Sequence, residues 1–215
     1  MVERGEATTV DVRTVDWQGN PILLKSVPAE HDPTTGKVLI EPAVVARAEM
    51  VAIASRLGIE GRDVPVLLTL FAEADYFVQG VIPELSKFNK LLFYQWKRLE
   101  SLGLGEAYIH DEFANARGGP VPIRLKDDLK RLEKAGVVRV KWSESVIDPT
   151  VVELTPDGMK LAEKLWWATP EALRHVSIDV KRDLYPMTGA AIRERVHRDY
   201  PDARHVYNKP RRAGK

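Results

Sequence analysis

Cysteine is absent from the 215-residue chain, which excludes a disulfide framework, a thiolate metal site and a cysteine nucleophile. Such a composition suits a reducing cytoplasm, and a cytoplasmic protein is the expectation. Apolar runs are short and broken by charge, well below the ~20 residues of a spanning helix, so no membrane segment is expected. The opening stretch MVERGEATTV lacks a basic region followed by an apolar run, so it does not read as a secretory signal. Charge of one sign is lacking too: 32 Lys and Arg face 31 Asp and Glu. Gross charge therefore cannot drive nucleic-acid binding, and any DNA contact must come from local patches.

Catalytic signatures are also missing. There is no HExxH pair, GxSxG elbow, P-loop or GxGxxG among the residues. Of the histidines, His31, His110, His175, His197 and His205, His110 with Asp111 and Glu112, and His197 with Asp199, could in principle ligate a metal, which makes a metal-dependent enzyme a further alternative, but both groupings fall in charged, solvated segments. Gly118 and Gly119 are not followed by Lys-Ser/Thr, so they read as a tight turn and not a phosphate cradle. The expectation is a non-enzymatic protein with no catalytic residues, no metal and no cofactor.

The length is enough to bury a core without covalent staples. Residues 8–40 look β-rich: β-branched residues recur in TTVDVRTV and KVLI, and QGNP and DPTTGK supply turns, which predicts two or three strands. From Pro42 to Leu57 the spacing of Val44, Val45, Ala48, Val51, Ala52 and Leu57 predicts one helical face, with Gly58 as its stop. A second helix is predicted from Arg62 to about Phe77, capped by Asp63 with Pro65 in its first turn. A third follows Pro83, with Leu85, Phe88, Leu92, Leu99 and Leu102 as its stripe and Gly103 and Gly105 after it.

The segment from Gly118 to Leu154 carries the most information. Pro120 and Pro122 are tolerated at a helix start, Val121, Leu125, Leu129 and Leu132 recur at helical spacing, and Gly136 supplies a C′ residue. Val137–Trp142 reads as a strand, SESVIDP as a loop and TVVEL as the returning strand of a hairpin. Thr155 and Pro156 then start a helix through Trp167, and two more helical segments lie near Pro170–Leu184 and Thr188–Tyr200. The fold class predicted is α+β, mostly α, with a winged helix-turn-helix core, a small β-rich N-terminal appendage and C-terminal helices. Its domains are residues 1–60 (appendage), 61–168 (winged helix), 169–203 (helical extension) and 204–215 (basic tail).

The stretches KFNKLLFYQW, DEFANARGGPVPIRL, DDLKRLEKAGVVRV and LTPDG resemble the Panacea antitoxin-like family and related phage-associated winged-helix proteins. Lys90, Leu91, Leu92, Phe93 and Tyr94 match one motif of that family, Phe113, Gly119, Pro120 and Val121 a second, and Val196 to Asp202 a near-terminal segment of the phage-associated relatives. The resemblance covers residues 64–202. It implies an antitoxin or regulator acting by stoichiometric contact with a partner protein such as a toxin, and related winged helices regulate transcription.

Sequence-specific binding of double-stranded DNA, as a dimer, is the alternative reading. With Leu125, Leu129 and Leu132 inward, Lys126, Lys130 and Lys134 fall on the outward helix face, with Arg124 and Arg131 at its margin. Asp127 lies among them and Asp128 nearer the core edge, so a solvated face with an Asp127–Arg131 pair is the competing reading. Arg139 and Lys141 alternate with Val138 and Val140, giving a basic wing face opposed by Glu144 and Asp148 in the loop. Arg211 and Arg212 belong to an acid-free tail from Arg204 that can clamp a backbone or stay solvated. Trp142, Trp166 and Trp167 are candidate partner contacts or core residues, and adjacent Trp166 and Trp167 point about 100° apart on a helix.

Overall fold

A computed structural model of the chain describes residues 6–15, 21–32, 34–73, 79–105, 113–116, 119–143 and 150–201. Its N-terminal part is a three-stranded antiparallel sheet, β1 (Glu6–Val15), β2 (Pro21–His31) and β3 (Val38–Leu39), followed by α1 (Pro42–Arg56). Opposite Asp11, β2 carries two residues, Lys25 and Ser26, where β1 carries one. Ser26 adopts φ 55°, and its N–H is held by the Asp11 carboxylate at 3.0 Å. This bulge keeps one face of β2 inward on both sides of the irregularity: Ile22 and Leu24 before it, Val27 and Ala29 after it.

In helix α1, Val44, Val45, Ala48, Ala52 and Leu57 of the expected face pack partly buried against the core, and Val51 is exposed. The most deeply buried residues are Ala43, Met50, Ile53 and Ala54. The helix is apolar on more than one side, so periodicity alone did not single out its deepest positions.

The middle of the chain runs α2 (Asp63–Phe71), β4 (Val81–Ile82), α3 (Leu85–Ser101), β5 (Phe113–Ala116), β6 (Gly119–Pro122), α4 (Leu125–Lys134), β7 (Val138–Lys141) and β8 (Val151–Leu154). Strands β4, β8 and β7 form one antiparallel sheet in that spatial order, and β5 pairs with β6. Helix α2 is the hub, buried from Asp63 to Leu70 and in contact with α1, α3, α5, α6 and β4. It is shorter than predicted. The Leu70 carbonyl accepts from Gly80 N–H and from Lys181 Nζ at 3.0 Å, and the Ala72 carbonyl accepts from Lys181 Nζ at 2.7 Å. A fully buried ammonium at the carbonyl end of α2 thus takes the place of another helical turn. Asp63 is not the cap either: Arg62 holds that position, and the Asp63 carboxylate points into an ion-pair network.

Two further corrections concern α3 and α4. Helix α3 buries Phe88, Lys90, Leu91, Leu92, Phe93, Tyr94, Gln95 and Leu99, a wider band than the predicted stripe, while Leu102 is exposed. It lies against α2, α6, α7, β4 and β6, so more than one side is covered. The start of α4 is Leu125, not the proline segment. Pro120 and Pro122 sit in β6, opposite Asn115 and Phe113, because each proline fixes its own φ and disfavours helical geometry in the residue before it.

Gly136, with φ +72°, takes the C′ position of α4, and Val137 N–H returns to the Leu132 carbonyl at 2.9 Å, closing a Schellman turn that launches β7. After β8, Thr155 caps α5 (Pro156–Ala168) by accepting from Gly158 N–H at 3.0 Å and donates its hydroxyl proton to the Gly136 carbonyl at 2.6 Å. Helices α6 (Glu171–Leu184) and α7 (Gly189–Asp199) complete the order. Their Leu173, Val176, Val180, Leu184, Ile192 and Val196 are buried in the same cluster as α2 and α3. The molecule is α+β, mostly helical, with small antiparallel sheets. Among the described residues no helix is long and apolar enough to cross a membrane.

Candidate nucleic-acid interface

Helix α4 turns Leu125, Leu129 and Leu132 into the core, as their spacing requires, and leaves Lys126, Lys130 and Lys134 exposed along one line of i, i+4 steps. That line is about 12 Å long at 1.5 Å per residue. Arg124, at the N-cap, is exposed as well. The acids of this helix are unevenly placed. Asp128 is fully buried. The Glu133 carboxylate is turned onto β7, accepting from Val140 N–H at 2.8 Å and Trp142 Nε1–H at 3.3 Å. Only Asp127 shares the solvent face with the four cations, so the field there is more positive than the residue order suggested.

Arg131 is placed differently from its neighbours. Its guanidinium forks onto Asp63, with Nη1 and Nη2 each 2.7 Å from a carboxylate oxygen, and Nη2 also reaches Asp128 at 3.0 Å. Glu60 lies 3.2 Å from its Nε, and Arg62 joins Glu60 and Asp128 at 2.8 and 2.9 Å. The hydrogen bonds that Arg131 donates to the Asp63 carboxylate hold the Arg131 pKa above its usual value against the opposing effect of burial. The Asp127–Arg131 pair expected from helical spacing is replaced by this fork, because Asp63 and Asp128 are buried carboxylates that require a cation. The sequence did carry a signal: Asp128 is three residues after Leu125 and four before Leu132, a carboxylate on the apolar face.

In the β7–β8 hairpin, Val138 and Val140 are buried and Arg139 and Lys141 exposed, the predicted alternation. Arg139 pairs across the strands with Glu153 at 2.8 Å, a solvent-exposed contact of small energy. Lys141 has no ion pair among the described residues. Glu144 and Asp148, in the loop, and Arg211 and Arg212, in the tail, lie outside the described residues.

The tryptophans divide. Trp166 is buried, with its ring centroid 5.6 Å from that of Phe71. Trp142 is half-buried over Glu133. Trp167 is 51% exposed, with the Arg174 guanidinium 5.4 Å from its ring centre.

The residues behind the family resemblance gather in one place. Buried Lys90 donates to the Pro120 carbonyl at 3.1 Å, and burial together with nearby Arg193 lowers its pKa to about 8. Phe93 meets Phe113 at 5.5 Å and Tyr200 at 5.3 Å between ring centroids, and Trp96 stacks on Phe113 at 5.2 Å. Tyr94 donates its hydroxyl proton to Asp199 at 2.9 Å; burial first, and then this carboxylate, raise its pKa. The three motifs therefore build the α3–β6–α7 junction. His110, Asp111 and Glu112 lie outside the described residues, and among the described ones no three His, Asp or Glu side chains form a metal-binding group. Compared with protein-family models, curated proteins and solved structures, the chain matches none.

Proposed function

We propose that residues 63–154 form a winged helix and that the protein works by stoichiometric binding, with the outer face of α4 laid against the backbone of double-stranded DNA. The element order α2-β4-α3-α4-β7-β8 and the strand order β4-β8-β7 support the winged-helix reading; the β5–β6 hairpin is an insertion between its second and third helices. The observation that carries the DNA reading is the face of Arg124, Lys126, Lys130 and Lys134, opposed only by Asp127 while Asp128 and Glu133 are engaged inward. Three lysines along one helix face, with Arg124 at its margin, suit phosphates, which position a protein on DNA without reading its sequence.

Fluorescence anisotropy with a labelled duplex tests this reading. Binding should weaken steeply with salt, and Lys126→Ala/Lys130→Ala/Lys134→Ala should flatten the dependence of log K on log salt by roughly 0.9 per lost phosphate contact. No saturable binding at low salt, or a triple variant with an unchanged slope, removes α4 from a DNA interface.

A second reading, an antitoxin-like regulator that contacts a protein partner, is favoured by exposed Trp167, since large aromatic rings are enriched at protein interfaces. Trp167→Ala should then weaken co-purification with a toxin encoded beside this chain; retained co-purification would take Trp167 out of the contact.

A further inference from the structure

We propose that the groove between β2 and α1 receives an extended, acid-bearing apolar segment of a partner protein, added as a strand along the edge of β2 that β3 leaves open. The groove encloses about 660 Å³ and is lined by every residue of β2 from Leu23 to Pro28. Successive strand residues point to opposite faces, so a groove that touches six in a row runs along the edge of the strand and not over one face. On that edge β3 pairs only with Glu30 and His31; among the described residues no strand lies on this side of β2 from Pro21 to Ala29, β1 being on the other. The opposite wall is α1, which contributes Val44, Ala48, Val51 and Ala52.

The apolar lining is costly to leave in water. Leu23 is 50% exposed and Val51 47% exposed, and beside Val51 the partly buried Val44, Ala48 and Ala52 recur at helical spacing, packed against the core on one side and bordering the groove on the other. Val51, the exposed member of the stripe that the sequence marks as core, is thereby explained as part of a binding wall.

Charge selects the partner. Lys25 and Arg47 line the groove and no acid does; neither cation has an ion pair among the described residues. Of the nearby carboxylates, Asp11 of β1 accepts from Ser26 N–H at 3.0 Å, Glu49 of α1 accepts from the Thr14 hydroxyl at 2.9 Å, and Glu30 of β2 lies outside the lining. An incoming strand would obtain affinity from backbone hydrogen bonds, and specificity from apolar side chains toward α1 with Asp or Glu beside Lys25 and Arg47.

The test uses the full chain and octapeptide pools with Val, Leu or Ile at alternate positions and Glu/Asp, Lys/Arg or Thr/Ser between them. Acidic pools are expected to bind at micromolar concentration, at least ten-fold more tightly than basic ones. Val51→Glu, at an exposed position where folding is retained, should abolish binding, and Lys25→Glu/Arg47→Glu should reverse the charge preference. N-methylation of alternate amides in the best peptide should remove binding.

Equal binding of basic pools, or no pool binding better than to Val51→Glu, overturns the proposal; so does tolerance of N-methylation, which would mean that no strand is added. A dimer in sedimentation velocity that Val51→Glu dissociates would also overturn it, by assigning the groove to a second copy of this chain. None of these readouts involves DNA or α4, so failure here is distinguishable from failure of the DNA reading.

Discussion

Arg131→Ala should destabilise the protein far more than any other single change on the exposed side of α4. Removing the guanidinium takes two hydrogen bonds from Asp63 and one from Asp128, and both carboxylates are fully buried. Breaking a buried ion pair by deleting one partner costs roughly 3–5 kcal/mol, because the other charge stays buried and uncompensated. The Arg131 side chain is about one-third exposed, and Arg62 remains 2.9 Å from Asp128, so the lower end, about 3 kcal/mol, is the expected loss. For a chain of this size that lowers Tm by roughly 6–12 °C. Lys130→Ala, one residue away and solvent-facing, should change stability by no more than about 0.5 kcal/mol. Calorimetry or thermal circular dichroism on the two variants gives the comparison. Below its own Tm, Arg131→Ala should bind DNA nearly as well as the parent, whereas Lys130→Ala should not. An Arg131→Ala variant as stable as Lys130→Ala would refute the assignment of Arg131 to the network joining α2 and α4.

Three other outcomes follow from particular contacts. A Cβ at Gly158 would lie 1.8 Å from the Val137 carbonyl oxygen, so Gly158→Ala must push α5 away from the start of β7; a loss of about 2–3 kcal/mol in urea unfolding is expected. Thr155→Ala removes the α5 cap and the bond to Gly136, with an expected cost of about 1–2 kcal/mol by the same measurement. Burial lowers the pKa of both Lys90 and Lys181 to about 8 from 10.5, with Arg193 adding to the shift at Lys90 and Glu73 opposing it at Lys181. Both lysines are charged in the folded and unfolded chain below pH 8. Above it the folded state releases these protons first, so stability should rise between about pH 8 and 9.5, by roughly 1–2 kcal/mol per lysine. Lys181→Met should halve the rise in denaturation midpoint, and a flat profile in the parent protein would contradict these shifts.

Local chemistry was legible wherever a single turn of chain decides it. Thr155 and Pro156 announced the start of α5, Gly136 the end of α4, and the alternation of Val138, Arg139, Val140 and Lys141 the two faces of β7, because caps, left-handed turns and strand pleats depend on neighbouring residues only. The inward leucines and outward lysines of α4 were legible for the same reason. The sequence lost the trail where two readings share one pattern. Pro120 and Pro122 fit a helix start as well as an edge hairpin, and pairing with β5 made the choice. The stripe of α1 was periodic, yet its member Val51 lies outside the core while Val44, Val45, Ala48, Ala52 and Leu57 pack against it.

What the sequence by itself determined is therefore most of the helices, the β7–β8 hairpin, some of their ends and the polarity of α4; β4, β5 and β6 were not among them. What only the tertiary structure decided is which charges are available. Arg131 and Lys130 are adjacent, chemically alike and indistinguishable by spacing, yet one is fixed by Asp63 from a helix 68 positions earlier and the other faces water. The same long-range contacts buried Asp128, turned Glu133 onto β7 and left the edge of β2 open beside α1. Electrostatic availability and open strand edges depend on residues distant in the chain, and no local pattern records them.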